Sequence, residues 1–173
     1  MARLFGTDGI RGVANSELTA ELAYKLGRAA TFYFGKSVDR PQIVIGRDTR
    51  LSGMMLENAL AAGICSAGGD ALILGVAPTP AIAYLTHCLK AQAGVVISAS
   101  HNPYYDNGIK FFSSTGYKLP DTVEDELEKL LVEGIENLPY PLNEKVGRII
   151  PIHEKLDHYC EYLLESTSSS LKG

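Results

Sequence analysis

The sequence predicts an α/β fold in which a mixed, mainly parallel sheet is flanked by helices on both faces. Three short apolar runs are typical of strands that are buried on both sides of a sheet. Helical patterns separate these runs, and strands that alternate with helices form parallel sheets through βαβ units. The length of 173 residues suits one domain, and 46% hydrophobic with 21% charged residues is close to the average of globular proteins. The apolar runs are Gln42–Gly46, Ala71–Gly75 and Gly94–Ser98.

Sequence signals mark the ends of the helices around these strands. Thr19 is a candidate N-cap of a first helix, which Gly35 ends. Ser52 is expected to cap the helix after the first run, and Gly68–Gly69 to end it. Residues 80–90 predict a shorter helix between the second and third runs. Two helices therefore connect neighbouring strands, as βαβ units require.

The chain after the third run predicts one more strand and a strongly marked helix. Gly108–Phe112 has the apolar content of the strand. Asp121 and Glu124 have the spacing of a capping box, in which two side chains satisfy the first backbone N–H groups of a helix. Gly134 is expected to end this helix.

The C-terminal part of the sequence predicts less regular structure. A surface loop is expected over residues 135–147, a short extended segment over 148–152 and an amphipathic helix over 153–165. Hydroxyl side chains then dominate, which is typical of a linker. We therefore expect one domain over residues 1–165 and a linker over residues 166–173.

Charge and cysteine content exclude several classes of protein. A formal net charge of -4 argues against a protein that is held to nucleic acid by phosphate contacts. No apolar stretch reaches the roughly 18 residues of a membrane span and no signal-peptide pattern is present, so the cytoplasm is the expected location. The cysteines are odd in number and far apart, so we expect no disulfide framework or zinc site and reduced thiols near the core. They are Cys65, Cys88 and Cys160.

The loops after the three apolar runs form the candidate site, because open parallel sheets bind ligands at the carboxyl ends of their strands. The first loop carries Arg47 and Arg50 beside hydroxyl groups and the start of a helix. Arginine and free helix N–H groups both bind phosphate, so this loop suits a phosphorylated small molecule. The alternative is that Arg47 and Asp48 only pair with each other and cap the next helix.

The third loop contains a candidate nucleophile. Ser100 follows a buried strand in a tight turn closed by Asn102-Pro103, which would hold its hydroxyl at the edge of the sheet. The flanking residues are not the glycines of a nucleophile elbow. His101 would point away from Ser100 if the backbone is extended there, so it is a poor base for a catalytic triad. An ordinary turn serine and turn histidine remain the alternative.

The opening stretch Phe5–Gly12 is rich in glycine but has neither the spacing of a P-loop nor that of a dinucleotide fingerprint. Its glycines would let the backbone approach a ligand closely, with Arg11 as the charged group. A tight hairpin is the alternative.

Five motifs, in the right order and spread over nearly the whole chain, resemble the first domain of the α-D-phosphohexomutases. The opening motif favours the bacterial branch that acts on glucosamine phosphates over the branches that act on mannose or glucose phosphates. The motifs are Phe5-Gly-Thr-Asp-Gly-Ile-Arg-Gly12, Gly46-Arg-Asp-Thr-Arg50 with Ser52-Gly53, Pro78-Thr-Pro80, Ile97-Ser-Ala-Ser-His-Asn-Pro103 and Asp106-Asn-Gly-Ile-Lys110.

The resemblance implies a reversible conversion of glucosamine 6-phosphate to glucosamine 1-phosphate, on the route to UDP-N-acetylglucosamine and the cell wall. In the family, the serine that matches Ser100 carries a phosphoryl group, passes it to the sugar through a bisphosphate intermediate and contacts one Mg²⁺ ion. Lys110 and Arg11 match residues that lie near the transferring phosphate in the family. His101 matches the residue beside the phosphoserine, whose role is to orient the phosphoserine rather than to transfer a proton. Five further residues of the motifs are expected to support the phosphate and the active-site loops: Thr7, Asp8, Arg47, Asp48 and Asn102.

Family members have four domains, and the resemblance covers only the first. The sequence lacks the Asp-x-Asp-x-Asp-Arg metal loop and the loops that hold the sugar and its second phosphate. We therefore expect an N-terminal fragment that is inactive alone, whose partners are a small sugar phosphate and its three missing domains, with no nucleic acid and no membrane. The alternatives are a phosphomannomutase or phosphoglucomutase domain and a stand-alone, non-catalytic module that binds sugar phosphates.

Overall fold

Residues 4–167 are described by a computed structural model, and they form one sheet of six strands. The strands are β1 (Ile10–Val13), β2 (Gln42–Arg47), β3 (Asp70–Val76), β4 (Ala93–Ile97), β5 (Asp106–Ser113) and β6 (Ile149–Pro151). They lie in the order β1-β5-β4-β2-β3-β6. β2, β3, β4 and β6 are parallel to one another, and β5 is antiparallel to both of its neighbours. The predicted mixed, mainly parallel sheet is therefore confirmed.

Helices cover both faces of the sheet, as predicted. They are α1 (Ala20–Phe34), α2 (Gly53–Ser66), α3 (Thr79–Cys88), α4 (Asp121–Val132) and α5 (Leu156–Glu165). Successive residues of β2 point to opposite faces. Ile43 and Ile45 pack in the core cluster of α1, α2 and α4, whereas Val44 packs in the cluster of α3 and α5. Single 3-10 turns lie at Ile135–Asn137, Asn143–Lys145 and His153–Lys155.

β1 is a strand that the sequence did not predict. The glycine-rich stretch before it does form a tight hairpin, in which Gly6 and Gly9 exchange backbone hydrogen bonds of 3.0 and 3.3 Å. The chain then pairs with β5, with Ile10 opposite Ile109. Gly9 has a φ of +83°, and a Cβ there would lie 2.4 Å from the carbonyl oxygen of Ile109. Only glycine therefore fits this close approach.

One predicted helix cap is confirmed, one holds in position only and one is wrong: Thr19 caps α1, Ser52 occupies the N-cap position of α2 without a capping hydrogen bond, and Asp121 does not cap α4. Thr19 caps α1 as expected, since its hydroxyl accepts a hydrogen bond from the Leu22 N–H at 3.1 Å. Ser52 already has helical backbone angles, and its hydroxyl accepts instead from the Asn107 side chain at 2.9 Å. A side chain from β5 thus takes the place of the backbone N–H groups of α2.

The start of α4 also differs from the prediction. The N-cap is Pro120, and Asp121 is already the first helical residue, so Asp121 does not hold the cap position of a capping box. The carboxylates of Asp121 and Glu124 bind the Lys118 ammonium at 2.8 and 3.2 Å. The two acidic residues therefore share a cation at the start of the helix.

α1 and α2 pack with their backbones in close contact. A Cβ on Gly27 would lie 2.3 Å from the Leu60 carbonyl oxygen, and one on Gly63 would lie 2.1 Å from that of Tyr24. Real Cβ atoms do not approach so closely, so both positions require glycine.

Asp70 fastens the C-terminal loop to the sheet. Its fully buried carboxylate accepts hydrogen bonds from Arg148 at 2.7 Å and from Arg40 at 3.2 Å. Burial alone would raise the pKa of this carboxyl group, but the two arginines outweigh burial and hold the pKa below its ordinary value. The start of β3 and the strand β6 are thereby joined.

The cysteine prediction is partly wrong. All three cysteines are free, and Cys65 is half-buried, with burial raising the pKa of its thiol. Cys88 of α3 and Cys160 of α5 are exposed rather than near the core. In the described part of the chain, no helix has both the length and the apolar content needed to cross a membrane. The linker proposed for residues 166–173 lies mostly outside the described residues.

Candidate active site

The candidate site lies at the edge of the sheet where β2, β3 and β4 end and β5 begins. Ser100 is three residues beyond the end of β4, and its side chain is exposed. Its φ is +56°, so the serine sits in the left-handed region that non-glycine residues rarely adopt. Its N–H donates to the Ser98 hydroxyl at 3.0 Å. The tight turn expected at this position is therefore present, and it presents the hydroxyl to solvent.

His101 lies closer to Ser100 than predicted. Its Nδ1 is 3.4 Å from the Ser100 hydroxyl oxygen, whereas the sequence suggested a ring that points away. That expectation assumed an extended backbone, and the left-handed turn at Ser100 overturns it. No carboxylate within residues 4–167 bonds to the His101 ring, so the arrangement still lacks the third member of a triad.

Two cations face Ser100 across a cavity of about 250 Å³. Arg11 reaches it from β1 and Lys110 from β5. The carboxylate of Asp8 lies between them, 3.6 Å from the Lys110 ammonium and 3.5 Å from the Arg11 guanidinium. Two positive charges therefore surround one negative charge. The net positive charge that remains suits the binding of a phosphate. The cavity is lined by Asp8, Arg11, Thr79, Val96, Ser98, Ser100, His101 and Lys110.

A second, more open cavity of about 530 Å³ borders Ser100 on another side. Asp48, Arg50 and Tyr104 are among its lining residues. Ser100 thus stands in the wall between a cationic cavity and a wider one.

Asn102 ties the two sides of the site together. Its side-chain oxygen accepts from Arg11 at 3.4 Å, and its side-chain nitrogen donates to the Asp106 carboxylate at 3.0 Å. Thr7 lies at the exposed tip of the hairpin at Gly6–Gly9, in a separate shallow cavity that also contains Asp8 and Arg11. The structure therefore brings Asn102 to Ser100 and leaves Thr7 at the periphery.

Arg47 and Asp48 do not form the ion pair that the sequence suggested as an alternative. The Arg47 Nε donates to Glu57 at 3.0 Å, and both side chains are largely buried. The Asp48 carboxylate instead accepts from Arg50 at 3.0 Å. Arg47 also donates to the carbonyl oxygen of Asp48 at 3.3 Å, so it stabilises the backbone of the loop that follows β2.

Arg50 has another role than predicted, and Ser98 and Thr79 had no predicted role. Arg50 was expected, with Arg47, to bind phosphate, and it instead donates four hydrogen bonds to backbone carbonyl oxygens of the serine turn. Ser98 and Thr79 also line the cationic cavity. The signal for Thr79 was its position after β3, at the edge where the sequence already predicts the site. No spacing could have revealed that Arg50 binds backbone carbonyl groups.

The described residues do not by themselves form a magnesium site. No group of three or more His, Cys, Asp or Glu side chains within residues 4–167 could hold a metal ion. The carboxylates near Ser100 are engaged by other side chains: Asp8 by Lys110 and Arg11, Asp48 by Arg50, and Asp106 by Asn102. A divalent cation here would need ligands from elsewhere.

Comparisons with known proteins identify relatives along the whole chain. A phosphoglucosamine mutase from Desulforamulus reducens is 56% identical over 173 residues, covering 100% of this chain and 39% of the relative. A phosphoglucosamine mutase from Clostridium novyi is 54% identical, covering 100% of this chain and 38% of the relative. The chain thus spans about two-fifths of the length of these curated relatives.

Solved structures show the same fold. A putative phosphomannomutase from Thermus thermophilus matches with a TM-score of 0.78 and 28% identity, over 95% of this chain and 36% of the other. A phosphoglucomutase/phosphomannomutase family protein from Burkholderia thailandensis matches with a TM-score of 0.78 and 26% identity, again over 95% and 36%. The family model described as phosphoglucomutase/phosphomannomutase, alpha/beta/alpha domain I, matches residues 2–137. The chain therefore belongs to the phosphoglucomutase/phosphomannomutase family, whose members are intramolecular phosphotransferases, and it contains domain I of that family.

Proposed function

We propose that this chain is the phosphoserine-bearing domain of a phosphoglucosamine mutase, which interconverts glucosamine 6-phosphate and glucosamine 1-phosphate. The observation that carries the proposal is Ser100, exposed in a strained turn and facing two cations, in a chain whose relatives at 53–56% identity bear that name. The product would serve the synthesis of UDP-N-acetylglucosamine and the cell wall. Because the product would be used in that synthesis, we expect the protein in the bacterial cytoplasm.

The reaction would proceed by two transfers through one serine. In the first, a sugar hydroxyl attacks the phosphorus atom on Ser100, so a new P–O bond forms to the sugar and the bond to the serine oxygen breaks. One proton leaves the sugar hydroxyl and one arrives at the serine oxygen. The bisphosphate then returns its other phosphoryl group to the serine, which restores the phosphoenzyme. Each step conserves the number of phosphoryl groups.

The side chains around Ser100 supply charge and alignment for this transfer. Lys110 and Arg11 offset the negative charge that spreads over the phosphoryl oxygens and assist proton movement at the sugar hydroxyl. His101 contacts the serine oxygen at 3.4 Å and orients it. Asp8 holds the two cations together before phosphate is present. Phosphoryl transfer mainly requires such positioning and charge neutralisation.

Mg²⁺ is the cofactor of the proposed enzyme. When bound, the ion would neutralise charge on the phosphate of Ser100, which would be one of its ligands. The carboxylates of the described residues are already engaged, so the other ligands would come from outside residues 1–173. Since residues 1–173 span less than two-fifths of the length of the relatives above, we expect this stretch alone to have no mutase activity.

Phosphorylation of the complete polypeptide encoded by the gene tests the role of Ser100. The protein is incubated with glucosamine 1,6-bisphosphate and the modified residue is located by mass spectrometry. We expect one phosphoryl group on Ser100, and we expect Ser100→Ala to lose both the label and nearly all turnover. Ser37→Ala is the matched control, because the Ser37 hydroxyl is exposed and donates to the nearby carbonyl oxygen of Phe34. A fully active Ser100→Ala enzyme would place the nucleophile elsewhere.

Turnover of a panel of hexose 6-phosphates tests the substrate. We expect glucosamine 6-phosphate to be converted with a higher kcat/KM than mannose 6-phosphate or glucose 6-phosphate. A preference for mannose or glucose phosphate would move the protein to another branch of the family. Binding of these compounds by the complete polypeptide without turnover of any of them would instead indicate a sugar-phosphate-binding module.

A further inference from the structure

Arg50 makes the most extensive side-chain contact with the turn that carries Ser100. We name residues 100–106 the serine loop. The two terminal nitrogens of the Arg50 guanidinium donate to four backbone carbonyl oxygens of this loop, at distances of 2.5 to 3.0 Å. The four carbonyl groups belong to Ser100, Asn102, Pro103 and Asp106.

The remaining donor of the guanidinium is also used. Nε donates to the Asp48 carboxylate at 3.0 Å, and the backbone N–H of Arg50 donates to the other carboxylate oxygen at 3.0 Å. A guanidinium has five N–H donors, so the described bonds use all of them. The Arg50 side chain is 11% exposed. Although Arg50 lines the wider cavity, it has no donor left for a phosphate, and it is suited to act on the loop instead.

The serine loop needs such a partner for two reasons. Ser100 has a φ of +56°, a conformation that costs free energy in a residue with a side chain. In addition, four carbonyl oxygens converge on one point, where their partial negative charges repel one another unless a cation lies between them. Other hydrogen bonds of the loop include the one from the Asn102 N–H to the Ala99 carbonyl oxygen at 3.1 Å and the one from the Asn102 side chain to the Asp106 carboxylate at 3.0 Å.

From these contacts we infer that Arg50 is a positioning residue, which holds the serine loop in the shape that points the Ser100 hydroxyl into the site. The consequence for catalysis rests on the function proposed above. Lysine keeps the charge at this position but has only three donors on one nitrogen atom, so it cannot bind four carbonyl groups and a carboxylate together. The inference therefore predicts that Arg50→Lys releases the loop.

Arg40 offers a matched control at the opposite edge of the sheet. Its guanidinium binds the buried Asp70 carboxylate and the carbonyl oxygens of Glu144 and Val146, so it too joins a carboxylate to a loop. It lies before β2, whereas the serine loop follows β4. Arg40→Lys should therefore weaken a structural contact of the same kind without touching the site.

The experiment uses the complete polypeptide and measures two properties of each variant. The first is amide hydrogen exchange across residues 100–106 without substrate. The second is the rate at which a saturating concentration of glucosamine 1,6-bisphosphate phosphorylates Ser100. For Arg50→Lys we expect faster exchange in the serine loop and a phosphorylation rate lower by on the order of a hundredfold, with little change in the KM for the bisphosphate, because small misplacements of a reacting group have effects of that size. For Arg40→Lys we expect wild-type values of both, with a lower melting temperature.

Each other outcome has a definite meaning. Unchanged exchange in Arg50→Lys would overturn the inference, as would faster exchange with a wild-type rate of phosphorylation. If the wild-type protein itself gains no phosphoserine, the proposed function fails, and the exchange measurement alone decides whether Arg50 holds the loop. Should Arg50→Lys not fold, Asp48→Asn is used in its place. This substitution removes the negative charge of Asp48 that binds the Arg50 Nε, while it keeps the shape of the Asp48 side chain. The same changes in smaller degree are then expected, and their absence would overturn the inference.

Discussion

Replacing Lys110 with alanine should impair catalysis far more than folding. The Lys110 side chain is 27% exposed, and its ion pair with Asp8 is 3.6 Å long with a carboxylate that is 55% exposed. Pairs of this kind contribute about 0–1 kcal/mol to stability. In the transfer, however, the ammonium would face the charged phosphoryl group. Removing one such electrostatic partner lowers kcat by roughly 10²–10³-fold, or about 3–4 kcal/mol in the activation free energy.

Leu127→Ala should show the reverse. Leu127 of α4 is fully buried in the core cluster of α1 and α2, and truncating a buried leucine costs about 2–5 kcal/mol of stability. Both variants of the complete polypeptide are assayed for glucosamine 1-phosphate formation and for the midpoint of urea unfolding. Lys129→Ala is the control for loss of a lysine charge, because its side chain is 59% exposed on the same helix. Similar unfolding losses in Lys110→Ala and Leu127→Ala, or wild-type turnover in Lys110→Ala, would refute the reasoning.

Two further predictions concern stability. Gly63→Ala should destabilise the protein by about 1–3 kcal/mol despite the better helix propensity of alanine, because its Cβ would lie 2.1 Å from the Tyr24 carbonyl oxygen. Thermal unfolding measures this loss, and a rise in melting temperature would show that α1 and α2 can separate freely. The Asp70 carboxyl group has a folded pKa below its ordinary value of 3.8, so its ion pairs stabilise the fold fully above that pH and are lost as the pH falls through the folded pKa. The stability difference between the wild-type protein and Asp70→Asn should therefore be largest near neutral pH and shrink below pH 3.8, and a difference that grows on acidification would contradict the role of the ionised group.

The central strands could be predicted from the sequence because strands that are buried on both faces consist of nearly continuous apolar residues. β2, β3 and β4 are continuous apolar runs, and each lies in the fold within a residue or two of its expected place. β1 is not an apolar run, since Gly9 precedes it and Arg11 and Gly12 lie within it, and its strand conformation depends on pairing with β5. Ser52 makes no capping hydrogen bond because Asn107, from a distant part of the chain, donates to its hydroxyl. Asp121 fails for a local reason, since Pro120 holds the N-cap position and Lys118 binds the Asp121 carboxylate.

Several residues that line the candidate site could be predicted from the sequence, whereas their geometry could be predicted less well. Ser100, Lys110 and Arg11 were identified from their motifs, and the structure brings them around one cavity. The direction of His101 was wrong because nothing in the sequence indicates that Ser100 has a positive φ. Arg50 was expected to bind phosphate, and its contacts with backbone carbonyl groups were missed because every residue has such groups and no motif identifies them.

The antiparallel direction of β5 makes part of the site local in sequence, whereas the rest of the site depends on distant parts of the chain. β4 and β5 form a hairpin, and Lys110 pairs with Val96 next to the turn that carries Ser100. Hairpins of this kind form on the order of microseconds, whereas contacts distant in sequence wait for the rest of the chain. Arg50 lies 50 residues from Ser100, and Arg11 lies 91 residues from Asn102. We therefore expect the serine and the lysine to meet early in folding, and the two arginines to contact the turn only when the sheet closes.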